Sequence, residues 1–399
     1  MATFLTLDPY ATDWLNLLGR WLHVIAGIVW IGTSFYFVAL DNHLRPPGPD
    51  AGEGVGGEAW EVHGGGFYRV QKFRVAPPRL PEQLLWFKWE AYTTWLSGFA
   101  LFVFLYYVNA DTYLIDKSVA DLRPWEAIVI SIALLVVAWV VYDVLCRLVR
   151  NELVLAAALL GLTTLAAWGC SHLFSGRAEY IQVGAMLGTI MAANVFVVII
   201  PAHWELVRAK EAGREPDPAP GVRAKQRSVH NNYLTLPVLF AMLSNHFPSS
   251  YGHSYSWLVL MAMMVIGAWI RVFFNLRHQG RNVWAIPVTA ALAIAGVAVA
   301  IRPSGGSAGG SVVGSVSFAR VQPIVEQRCV PCHSAHPTRA SVAPKGIMFD
   351  TPDEIRSQAS LIEQVAVTTK VMPIGNATGM TQAERDLLGA WIRQGAKIK

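Results

Sequence analysis

Cys329-Val-Pro-Cys332-His333 is a motif whose spacing alone points to a chemistry. Two thiols separated by two residues lie about one turn apart and can reach the two vinyl groups of a porphyrin as thioethers. The adjacent imidazole then lies under the iron, so C-x-x-C-H reads as the attachment signature of haem c. A thioredoxin-like redox pair would need a surrounding βαβ pattern, and none is visible. A zinc site could recruit His333 or His336, but no second Cys pair supplies the usual structural set. Haem c takes its sixth ligand from a Met or His on a following loop, and Met348, Met372 and Met380 are on offer. Met348 stands in the apolar stretch 346–349 and reads as a core residue. Met372 precedes Pro373, which fixes φ and holds the residue before it extended. Met372 is therefore the expected ligand, with Met380 in reserve.

The elements around this motif suit a small all-α domain. Residues 318–328 place Phe318, Val321, Ile324 and Val325 at helical spacing. Thr381-Gln-Ala-Glu384 is a capping box, followed by Leu387, Leu388, Trp391 and Ile392 on one face. A Gly/Ser-rich linker at 303–315 separates this unit, 316–399, from everything before it.

What comes before reads as a membrane domain, 1–302. The chain is 53% apolar and only 15% charged, with a mean hydropathy of +0.37, against about 25% charged residues in soluble domains. Apolar runs long enough to cross about 30 Å of hydrocarbon occur at 15–40, 92–108, 125–145, 153–174, 181–200, 233–246, 257–274 and 283–301. Eight spans are expected, the sixth short and interrupted by Pro237. Loops after the odd-numbered spans hold 17 Lys and Arg, Arg227 and Arg271 among them, against 4 after the even-numbered ones. Basic residues collect on the cytoplasmic side, so both termini are expected outside, in the periplasm if the host is a bacterium. The net charge of +5 belongs to these loops and implies no nucleic-acid partner. Residues 46–66 read as a Gly/Pro-rich loop and 211–222 as a flexible connector. Met1–Asp13 has no basic residue, so the first span is expected to stay as an anchor. Cys146 falls near the cytoplasmic end of its span and Cys170 near the outer end of its own, and both read as small apolar residues.

Ionisable groups inside spans raise a functional reading by default. His23, His172 and His246 approach the outer side, and two imidazoles on different helices at similar depth could hold a haem b. Hydrogen-bonded or interfacial histidines are the plainer alternative. Toward the inner side His203, His230, Asn231, Asn232 and His278 cluster near span ends; the first three are the candidates for catalysis, with a wet interface as the alternative. The run 62–66 is no dinucleotide fingerprint, since G-x-G-x-x-G after a strand is absent, which disfavours flavin or nicotinamide.

Taken together, the spans, the haem motif and the stretches 21–35 (WLHVIAGIVWIGTSF) and 230–237 (HNNYLTLP) resemble the bacterial membrane-bound urate oxidases with a fused cytochrome c. The resemblance implies a polytopic helix bundle in the inner membrane followed by a class I-like cytochrome c domain. It implies oxidation of urate to 5-hydroxyisourate in purine catabolism, without hydrogen peroxide. Electrons would leave through the cytochrome to a respiratory-chain acceptor, such as a soluble cytochrome c or a terminal oxidase. A subunit passing quinol electrons to the cytochrome, without its own substrate site, is the alternative, and a transporter with an accessory cytochrome is a third.

Overall fold

The computed structural model describes residues 9–302, 314–340 and 342–398. Most of the expected 303–315 linker and the start of the 1–13 segment lie outside the described residues. Of the described residues 68% are helical. Its first unit is built from α1 (Pro9–His43), α2 (Trp89–Phe102), α3 (Pro124–Leu148), α4 (Glu152–Ser171), α5 (Gly176–Ala193), α6 (Ile200–Glu211), α7 (Pro218–Leu243), α8 (Ser256–His278) and α9 (Ala285–Ala300). A wide π-type turn, Val103–Tyr107, prolongs α2, and another, Asn194–Ile199, joins α5 to α6 in one rod. The starts follow from local chemistry. Asn151, Ser175 and Asp217 accept the orphan N–H groups that open α4, α5 and α7, and Glu126 takes the Arg123 N–H ahead of α3.

Among the described residues five helices are long and apolar enough to cross a bilayer: α1, α3, α4, the α5–α6 rod and α8. The chain is a membrane protein by this measure, with five such helices where eight spans were expected. The other three are helical but fall outside it. α2 mixes Glu90, Thr93, Thr94 and Ser97 with its apolar residues, α7 carries Arg223, Lys225 and Arg227 in its first half, and α9 has 16 residues. The α5–α6 rod is central, with 56% of its most apolar window buried, whereas in α1 only 6% is buried. Leu17, Leu22 and Ile28 on α1, Leu153 and Leu165 on α4, and Leu292 and Val299 on α9 face outward, as lipid-facing helices require.

The expectation of an all-α chain needs correcting. Part of the 46–66 loop folds as an antiparallel hairpin, β1 (Val55–His63) with β2 (Gly66–Phe73), closed by Gly64 and Gly65. Both turn residues have positive φ, 59° and 82°, the conformation that a two-residue hairpin turn demands. Hydrogen bonds from Arg69 hold Asp50 and Glu58 below the usual carboxylate range and lock the hairpin base. The 211–222 connector is also shorter than expected, because Asp217 caps α7 and Pro218 opens it. Arg227 and Arg271, counted with the loops, are buried inside α7 and α8.

The second unit crosses α10 (Phe318–Arg328) with α11 (Gln382–Arg393), joined through two short helices, Pro352–Ser357 and Ala359–Ile362, the latter prolonged by a π-type turn, Glu363–Thr368. Phe318 meets Trp391 with ring centroids 5.6 Å apart, over Val321, Val325 and Leu388. Thr381 and Glu384 form the expected capping box. Met348 is 37% exposed rather than in the core, and Phe349 fills the core instead. This tail unit rests on one end of the bundle: Val371 packs against the bundle core, and the turn Ile374–Asn376 meets the short helix Ala110–Tyr113. A Cβ on Gly375, whose φ is +55°, would lie 2.7 Å from the Thr112 carbonyl oxygen and 2.9 Å from that of Ile115.

Candidate functional site

The tail motif is assembled where α10 ends. The Cys332 and His333 N–H groups both donate to the Cys329 carbonyl, at 3.1 and 2.9 Å, so a single tight turn carries both thiols and the imidazole. Neither thiol is in a disulfide. Burial pushes the Cys329 thiol up to about 12 and raises Cys332 as well, so both are protonated at neutral pH. His333 places Nδ1 3.0 Å from the Ile347 carbonyl oxygen. With Nδ1 donating there, Nε2 is the nitrogen left with a lone pair for a metal. Cys329, Ile347, Phe349, Met372 and Met380 belong to one apolar cluster.

The two candidate thioethers differ in environment. Met380 is buried, and the Asn376 amide clamps its backbone through both N–H and C=O, at 2.9 and 3.2 Å. Met372 is half-buried at the cluster edge. Arg385 holds its main chain, donating to the Met372 carbonyl at 2.7 Å and to that of Ala366. The residues fit a covalently held porphyrin: paired thiols, an oriented imidazole, an apolar wall and a tethered thioether. Among the described residues no group of three or more His, Cys, Asp or Glu is placed to hold a bare metal ion.

Inside the bundle, polar residues gather in three groups. In the first, the Tyr142 hydroxyl lies 2.9 Å from His230 Nδ1, and the Asn194 amide donates to Tyr142 and to Asn231 Oδ1 at 2.9 and 3.0 Å. His230 Nε2 faces Glu152 at 3.3 Å, and Arg227, stacked over the Tyr142 ring, pairs with Asp143 at 2.7 Å. His230 and Asn231 thus share one network. His203 does not join it; its exposed ring lies 6.4 Å from that of Trp86.

In the second group Asn232 turns the other way, toward α8, where its Oδ1 accepts from Arg271 Nε at 2.9 Å and from Asn275 Nδ2 at 3.1 Å. A cavity of about 380 Å³ opens beside Arg271, lined by Phe35, Tyr36, Leu236, Phe274 and His278. In the third, Ser256 donates to Glu179 at 2.5 Å, and a chain runs from Tyr107 through Ser131 to Gln182.

The three outer histidines are not joined by any contact among the described residues. His23 packs against the Gly98 backbone, with Nδ1 3.0 Å from the Thr94 carbonyl oxygen. His172 bonds back to Trp168 of its own helix at 2.8 Å, and His246 is exposed in the turn after α7. Sequence reasoning missed Tyr142, Asp143, Glu179, Asn194, Arg227 and Arg271. The signal was present for four of them, since an ionisable residue inside an apolar helix is costly unless it has a task.

Residues 9–302, nearly the whole first unit, match the protein family described as urate oxidase N-terminal. No curated protein and no solved structure matches the chain.

Proposed function

Because the chain belongs to the urate oxidase N-terminal family, we propose that it is a membrane-bound oxidoreductase converting urate and water to 5-hydroxyisourate, two protons and two electrons. The observation that carries this reading is the family match over the bundle, followed in the same chain by C-x-x-C-H with an oriented His333. Haem c on Cys329 and Cys332, with His333 and Met372 as axial ligands, would take the electrons singly and hand them to a respiratory acceptor such as a soluble cytochrome c or a terminal oxidase. The bundle would handle the protons. His230 bridges the buried Tyr142 hydroxyl and the exposed Glu152 carboxylate, so a proton taken at Nδ1 can be matched by one leaving from Nε2. The alternation of basic loops supports an inner-membrane orientation with both termini periplasmic.

The test is urate-dependent reduction of the haem absorption bands in purified protein under strict exclusion of oxygen. Reduction by urate, at two haem equivalents per urate consumed, is the expected result. A haem that dithionite reduces and urate does not would refute the direct route.

A further inference from the structure

The cavity between α1, α7 and α8 is the place where the bundle buries a positive charge without an internal counter-ion. Arg271 is 3% exposed, and an arginine stays charged at any accessible pH. It makes no ion pair among the described residues. Its titratable neighbours are Tyr233 and His278, and around His278 stand His43 and Arg277; none carries a negative charge at neutral pH. Burying a lone cation is costly unless something anionic meets it.

Hydrogen bonding narrows the ligand. Asn232 Oδ1 accepts from both Arg271 and Asn275, and this fixes both amides. Asn232 Nδ2 is left as a spare donor and Asn275 Oδ1 as a spare acceptor. Together with Arg271 Nη2 and His278 Nδ1, four buried polar atoms lack a partner among the described residues. The guanidinium stacks 3.7 Å from the Phe35 ring centroid, which holds its plane. The cavity volume of about 380 Å³ falls in the range of small-molecule sites, roughly 300–1,000 Å³. A simple anion without a proton, such as sulfate or chloride, would meet Arg271 and leave the Asn275 acceptor empty. A ring bearing both N–H and C=O groups satisfies donor and acceptor together.

We propose that this cavity binds a planar oxo-substituted heterocyclic monoanion, with Arg271 as its counter-charge, His278 on its wall, and the spare groups of Asn232 and Asn275, buried directly beside Arg271, reading its edge. Taking that anion to be an oxopurine rests on the urate reading above.

The test uses full-length, haem-loaded protein in phosphatidylcholine nanodiscs, fully reduced with dithionite so that urate can bind without being oxidised. Radiolabelled urate is measured by equilibrium dialysis. Arg271→Gln should weaken binding at least about 30-fold, the loss expected when one member of a buried charge pair is removed. Asn275→Asp, nearly isosteric, sets a carboxylate beside the site and should abolish binding; it carries the test if Arg271→Gln fails to fold, as judged by elution volume and haem spectrum. Unchanged urate affinity in the variants that fold overturns the proposal. So does a result in which Arg271→Gln loses only sensitivity to added phosphatidylglycerol, since the cation then serves a lipid phosphate. If oxidised wild-type haem is reduced by urate while binding tolerates the substitutions, the site assignment alone fails. If wild-type protein neither binds urate nor is reduced by it, the urate reading fails with it.

Discussion

Arg385 is where the tail loop converges: its buried guanidinium ties Ala366 and Met372 through their carbonyls and reaches toward Asn376. Met372 is thereby held by its main chain while its side chain sits half-buried at the edge of the apolar cluster. With the ligation proposed above, replacing Met372 by Ala should remove the weak far-red absorption band of Met-ligated ferric haem. It should also lower the reduction potential, because a Met axial ligand raises it. The drop should be a substantial part of the roughly 0.8 V that axial ligands span. Met380→Leu should leave both unchanged, and spectroelectrochemistry on the two variants checks the pair. At this scale the sequence was legible where a feature is built from contiguous residues, as in the turn that 329–333 forms. It was silent wherever a partner comes from another helix. Asn194 meets Asn231 and Tyr142 meets His230 only because α3, α5 and α7 pack side by side, and no local spacing encodes that. Arg271 was misread for a related reason, since a basic residue near a span end looks like a loop charge until its burial is known.

Helices with strong boundary chemistry were readable as elements, and those with mixed character were not. α11 announced itself through Thr381, Glu384 and an apolar face, and α10 through its helical spacing. α7 was seen only as its apolar second half, because Arg223, Lys225 and Arg227 hid the first; Asp217 and Pro218 start the helix well before. The hairpin was missed because the positions of β1 that alternate inward are Val55, Gly57 and Ala59, while Trp60, Val62, Phe67 and Tyr68 stay exposed, so apolar character does not follow burial. The Gly-Gly pair was the surviving cue. The pairing of Arg227 with Asp143 staples α7 to α3 at a point where Arg227 is 4% exposed. Asp143→Ala strands that charge and should cost about 3–5 kcal/mol, the usual effect of breaking a buried pair by removing one member. Thermal unfolding in detergent, followed by loss of helical circular dichroism, checks it.

At the scale of the whole molecule, composition revealed a membrane domain and a polar tail, and the bundle's outward leucines agree with it. How the tail meets the bundle was beyond reach of the sequence, because Gly375 is received by main-chain carbonyls of 111–115 and Val371 packs into the bundle core from far along the chain. Gly375→Val would force a side chain against the carbonyls of Thr112 and Ile115 and place a β-branched residue at positive φ, a conformational cost of about 1–3 kcal/mol by itself. The expected outcome is slower urate-driven haem reduction in stopped-flow experiments, with the tail's own spectrum and potential intact. Because that seat presents a ledge of peptide oxygens to a residue with no side chain, it recognises contour rather than identity. A foreign domain grafted behind the linker should settle on the same ledge if it offers a left-handed glycine knuckle there. The two halves could then diverge, or be exchanged, without rewriting the surface that joins them.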